Sequence, residues 1–204
     1  MFVQVIQGQV TDAEQAHAAM DRWMEELAPE APGWLGTTAG VTADGRFIAQ
    51  ARFESADSAR RNSESPGQDK WWHEFSSLFS GDAAFHDTED VTVGMVGDPD
   101  TAGFVQIIRG RVTDPDRIRT LMSGDPAKWA DFRPDVIGSV FSLYDDGAFT
   151  TTFYFTSEAE AREGERKEPP QELKATVDEL DALDAEPPEF FDLTAPWVYS
   201  PAST

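Results

Sequence analysis

One stretch of eleven residues occurs twice. FVQVIQGQVTD runs from Phe2 to Asp12, and FVQIIRGRVTD runs from Phe104 to Asp114, with eight of the eleven positions identical. The match continues without a gap. GTTAGVTADGRFIAQARF (Gly36 to Phe53) lies over GSVFSLYDDGAFTTTFYF (Gly138 to Phe155), and ESADSAR (Glu54 to Arg60) lies over TSEAEAR (Thr156 to Arg162). A repeat this long makes the chain two copies of one folding unit, each of roughly 100 residues, a size that can bury its own core.

Each copy reads as strand, helix, strand, strand, helix, strand. Phe2 to Val10 is rich in β-branched residues, and Thr11 or Asp12 can cap the helix that follows, where Ala16, Met20, Trp23, Met24 and Leu27 recur at helical spacing. In the second copy Pro115 opens the helix and Gly124, Asp125 and Pro126 cut it, which predicts a short or broken element. Asp44-Gly45 and Asp146-Gly147 supply positive-φ turns for a hairpin in each copy. On the outgoing strand Phe47, Ala49, Ala51 and Phe53 share the face expected to pack on helices, and Ile48, Gln50 and Arg52 share the other. Ser55 and Ser157 cap the second helices, which resume after Pro66 and after Pro169-Pro170. Final strands are expected near Asp90 to Met95 and near Phe191 to Tyr199.

The expected fold is therefore α+β: two ferredoxin-like βαββαβ repeats, each a four-stranded antiparallel sheet with both helices on one face. The bare faces would cover each other in an intramolecular dimeric α+β barrel. Residues 1–97 form the first repeat, 98–103 a linker within the Gly97 to Gly103 stretch GDPDTAG, and 104–204 the second repeat.

Charge narrows the partners. The chain carries 16 basic and 38 acidic residues, a net charge of −22. The first 102 residues contribute −12 and the rest −10, so acidity belongs to both copies. Such a surface repels phosphate backbones and anionic lipids, which disfavours nucleic acid and membranes. There is no cysteine, hence no disulfide, thiolate metal site or Cys nucleophile. No targeting or membrane-spanning pattern stands in the sequence, and a cytoplasmic protein is the expectation. Six tryptophans and 14 phenylalanines require a core to fill.

The strand FVQVIQGQVTD with its capped helix, the hairpin exit RFESADSARRNSESP and the helix DKWWHEF resemble the dimeric α+β barrel superfamily. The likeness is to antibiotic biosynthesis monooxygenase-like domains, here as a tandem fusion. The resemblance implies a site for a small, aromatic or hydrophobic molecule and, if catalytic, cofactor-independent oxidation of a phenolic compound by O2 and a base. Haem-degrading relatives place an Asn on the first strand and a Trp and a His on the second helix. Those positions here are Ile6, Asn62 and Trp72, and only a one-residue shift would bring His73 to the ligand place. No cofactor is implied.

Among polar residues, Gln4 and its counterpart Gln106 sit on an apolar strand face, as pocket amides or as partners in a cross-strand hydrogen bond. Arg52, opposite Tyr154 in the repeat, would pair an internal carboxylate or a ligand anion. His86 lies beside Asp87, Glu89 and Asp90, a grouping that suits a general base or a solvated turn and matches no metal motif. His17 and His73 read as surface residues. Because WWHEF and FHD in the first copy face LKATVDEL and EFFD in the second, the pocket is expected in the first copy. Gln4, Arg52, Asn62 and Trp72 would line it, and His86 would handle protons. The competing reading is a non-catalytic internal pseudo-dimer that binds a hydrophobic ligand or serves as an interaction module.

Overall fold

In a computed structural model, which describes residues 1–124 and 127–201, the repeat elements form where the punctuation places them. Strand β1 (Phe2–Gln9) leads to helix α1 (Ala13–Glu26), whose first turn is closed by the Asp12 carboxylate accepting from the Gln15 N–H. Strands β2 (Trp34–Val41) and β3 (Arg46–Phe53) form a hairpin whose turn uses Gly45 at φ 84°. Ser55 caps α2 (Ala56–Ser63) and Ser65 caps α3 (Pro66–Ser76). Two short strands follow, β4 (Ala84–Thr88) and β5 (Val91–Met95).

The second copy repeats the series with β6 (Phe104–Arg111), α4 (Pro115–Met122), a four-residue helix α5 (Ala127–Ala130), and the hairpin of β7 (Val136–Leu143) and β8 (Ala148–Phe155). It ends with α6 (Glu158–Glu165), α7 (Gln171–Leu183), β9 (Glu189–Leu193) and β10 (Trp197–Tyr199). Helix α4 is short, as its Gly-Asp-Pro interruption requires, although Asp125 and Pro126 themselves lie outside the described residues.

Each copy ends in two strands, where one was expected. Both sheets consequently have five antiparallel strands, in the orders β10-β2-β3-β1-β4 and β5-β7-β8-β6-β9. One terminal strand of each copy pairs beside its own first strand, β4 on β1 and β9 on β6. The next strand joins the sheet of the other copy, β10 on β2 and β5 on β7. The compact units are accordingly Met1–Glu89 with Pro196–Thr204, and Asp90–Ala195. They differ from the expected division at 1–97, 98–103 and 104–204. The reason is that backbone pairing, which must satisfy every strand's N–H and C=O, carries β5 and β10 across the repeat boundary. The expected linker is a 3-10 turn at Pro99–Thr101 inside the second unit.

In the first unit Phe47, Ala49, Ala51 and Phe53 face the helices, as the alternation predicts. Phe75 of α3 is 1% exposed and sits among Trp71 (stacked, 4.7 Å), Phe47 (5.3 Å) and Phe79 (5.4 Å). The other face of β1 and β3 carries Val3, Val5, Ile48 and Gln50, all fully buried, which is why these strands look apolar at nearly every position. Truncating Phe75 to Ala removes the ring on which three others rest. The first unit should lose about 3 to 5 kcal/mol, read by chemical denaturation; a loss below 1 kcal/mol would mean that the aromatic layer is not what holds α3 down.

Candidate functional site

The two units differ most between helices and sheet. In the first, Val10 bridges to Phe79; in the second, Val112 bridges to Asp184, so the offset between equivalent residues grows from 102 in the hairpins to 105 in the last helix. The N–H of Thr11 donates to Leu78 and that of Thr113 to Leu183, which fixes the same correspondence. Trp71, Trp72 and Phe75 of α3 therefore stand where α7 has Thr176, Val177 and Leu180. On the fifth strand, Trp197 pairs with Ala39 and Tyr199 with Thr37, where Thr92 pairs with Phe141 and Gly94 with Ser139. Trp34 at the start of β2 becomes Val136 at the start of β7.

Six aromatic side chains of the first unit are thus replaced by smaller ones, while Ala39 and Ala51 of its sheet become Phe141 and Phe153. Several of these rings are anchored as well as packed. Trp71 Nε1–H donates to the Ala19 carbonyl (2.8 Å), Trp34 Nε1–H to Thr37 (2.9 Å) and Tyr199 Oη–H to Asp21 (2.9 Å). His17 lies flat on Trp197 at 4.4 Å, and Trp72 meets Phe85 edge-on at 5.1 Å.

With those rings gone, the second unit holds a cavity of about 1180 Å³, lined by the helix side of its sheet and by α4, α6 and α7. Its walls include Thr92, Gly94, Val136, Thr176, Val177 and Leu180, the six replacements. The volume is at or above the upper end for small-molecule sites, roughly 300 to 1,000 Å³. Buried apolar residues of this unit include one cluster around Phe141 and Phe149 and another around Phe104 and Phe155.

One end of the cavity is polar. Gln106, 6% exposed, donates from Nε2 to Asp192 (2.9 Å) across the β6–β9 pair and to Glu165 (3.5 Å). Arg162 of α6 donates to Asp192, Glu165 (2.9 Å) and Glu158 (3.5 Å), and its guanidinium lies 5.0 Å above the Phe104 ring. Burial works against this charge, but Asp192 and Glu165 outweigh it and hold the guanidinium above its ordinary range. Beside it Arg133 is clamped by Asp135 (2.7 and 3.0 Å) over Phe155. Gly164 permits this: a Cβ there would run into the Arg133 guanidinium. The Gln–Asp pair exists in both units, since Gln4 donates to Asp87 at 3.0 Å across β1 and β4. The arginine differs. Arg60, equivalent to Arg162, points outward to Asp57 and Glu64.

In the first copy the aromatic residues expected to line a pocket pack against one another. None of Gln4, Arg52, Asn62, Trp72 and His86 lines this cavity or the smaller recess between α1 and α3. Gln4 and Trp72 lie on the helix side of the first sheet. Arg52 and His86 lie on the opposite face, because strand alternation puts His86 in register with Val5 rather than with Gln4. Asn62 is buried in α2, at the place Gly164 takes in α6. His86 is on a strand, β4, rather than in a turn before one.

The three histidines, His17, His73 and His86, all belong to the first unit, so the cavity offers no histidine to a haem iron. Among the described residues no three His, Asp or Glu side chains are grouped to hold a metal ion. Among the same residues no helix is long and apolar enough to cross a membrane.

No protein-family model matches the sequence, and neither does any curated protein. The similarity lies in structure. A protein of Lactobacillus acidophilus NCFM provisionally named a monooxygenase superposes with a TM-score of 0.76 at 10% identity, over 98% of this chain and 95% of its own. One from Fusobacterium nucleatum subsp. nucleatum ATCC 25586, named in the same way, gives 0.73 at 7% identity over 98% and 94%. An anthrone oxidase-like protein gives 0.66 at 10% identity over 97% and 92%. At these identities the likeness is one of fold, over nearly the whole of each chain.

Proposed function

We propose that the protein binds an apolar small molecule, one per chain, in the cavity of its second unit, while the first unit is a packed counterpart without a site. The observation that carries this is the coordinated loss of six aromatic side chains around one volume, with a hydrogen-bonded polar cluster kept at its end. Protein interiors fill such volumes. A ligand seated in this open, largely apolar cavity would take its lining out of water and add dispersion contacts along it.

A second reading, oxidation of a bound phenol, is favoured by Asp192 and Glu165 on the wall. A carboxylate there would accept the phenolic proton, O2 would add to the electron-rich ring, and loss of water would turn a ring C–H into a carbonyl. One oxygen atom then ends in the quinone and the other in water. The proton acceptor in this reading is a carboxylate and not His86, which belongs to the other unit.

Titration of the full chain with Nile red, a neutral apolar dye, should give a blue-shifted emission that saturates at one dye per chain. Val177→Trp restores one missing ring. It should weaken dye binding by about tenfold or more, yet change stability by no more than about 1.5 kcal/mol, because the indole enters open space instead of a filled core. Undiminished dye binding by Val177→Trp would place the site elsewhere. For the second reading, oxygen uptake with phenolic substrates should fall with Asp192→Asn while dye binding persists; uptake that survives the change removes the carboxylate from the chemistry.

A further inference from the structure

The polar end of the cavity is rich in acceptors. Gln106 turns its amide NH2 toward two carboxylates, Asp192 and Glu165, and that choice orients the group, since an amide oxygen cannot face a carboxylate favourably. Its Oε1 is left with no donor among the described residues, on a side chain that is 6% exposed and lines the cavity. Asp192 accepts one bond at each oxygen, from Gln106 and from Arg162, and a carboxylate has room for about four.

The cations nearby are already engaged. Arg162 is surrounded by Asp192, Glu165 and Glu158, three carboxylates around one guanidinium, so this end carries net negative charge. Arg133 is held by Asp135 and the Ala161 carbonyl. Lys167, the remaining cation of the lining, is exposed. A whole-chain charge of −22 adds a long-range field of the same sign.

We propose that this end selects ligands by what they donate: the natural ligand presents a hydroxyl or protonated amine to Gln106 Oε1 and Asp192, is neutral or cationic, and is not a carboxylic acid. The inference deepens the cavity reading and rests on it. The first unit supplies a built-in control, because Gln4 and Asp87 form the same pair and line neither the cavity nor the recess between α1 and α3.

The test is displacement of Nile red from the full chain by three ring compounds of similar size: 2-naphthol, a donor; 2-methoxynaphthalene, an acceptor only; and 2-naphthoate, an anion. The naphthol should bind about tenfold more tightly than the methyl ether, the worth of a hydrogen bond to a charged or buried acceptor, and the naphthoate should bind most weakly. Gln106→Met, which keeps the shape and removes the oxygen, should narrow the gap between naphthol and methyl ether, with Asp192 left as the acceptor. Gln4→Met should leave the preference intact. If Gln106→Met fails to fold, Gln106→Leu, which also lacks the oxygen, serves in its place and should likewise narrow the preference.

Equal binding of naphthol and methyl ether by the parent protein, or preferred binding of naphthoate, overturns the proposal. So does a naphthol preference that loss of the Gln106 oxygen leaves undiminished. Failure of the dye and all three compounds to bind removes the cavity reading itself.

Discussion

The layer between sheet and helices must be filled, and the side chains that fill it decide what each unit of this protein is. In the first unit that layer is aromatic. Trp71, Trp72 and Phe75 descend from α3, Trp197 and Tyr199 come in from β10, and Trp34 closes the start of β2. The rings meet edge-on or stacked, and the indole N–H and phenol O–H groups quoted above find backbone or side-chain acceptors, so size is accommodated without orphaned polar atoms. The same backbone with Thr176, Val177, Leu180, Thr92, Gly94 and Val136 at those places has no means of closing the gap, and helix α4 ends at Met122 where α1 continues to Glu26.

Much of the backbone follows from short-range chemistry that can be read directly. Asp12, Ser55 and Ser157 cap the helices they precede, Gly45 and Gly147 take the positive φ of the hairpin turns, and Pro115 opens a helix that stops early. The pairing of the terminal strands does not follow in this way. Ala84–Thr88 has two exposed apolar residues, Ala84 and Phe85, and no clean alternation, as befits a strand at the edge of its sheet. Only Glu89 and Asp90 separate it from β5, so two strands read as the approach to one. The exchange of β5 and β10 between sheets is a tertiary fact with no local signature.

The site was half legible. The contrast between WWHEF and LKATVDEL is present in the sequence, and so is the pairing of a strand Gln with something polar. Buried tryptophan is first of all volume, and the rings of the first unit pack against one another. Five of the six tryptophans lie in the first unit. Comparing aligned repeat positions by size, Trp72 with Val177 or Trp197 with Thr92, points to the second unit. The offset of 105 that makes the comparison possible, however, comes from the bridges of Val10 and Val112. Arg162 was equally hidden. Its equivalent Arg60 forms ordinary surface ion pairs, and only the cavity beside α6 makes the inward turn to Asp192 available.

The division into one packed unit and one hollow unit is tested most directly by a crystal of the full chain soaked in 6-bromo-2-naphthol, with anomalous scattering used to find the bromine. A single bromine peak among Val177, Leu180 and Phe153, with the naphthol oxygen near Gln106 and no peak in the first unit, is the expected result. A peak beside Trp72 in the first unit, or a second unit whose cavity stays empty at saturating ligand, would contradict it.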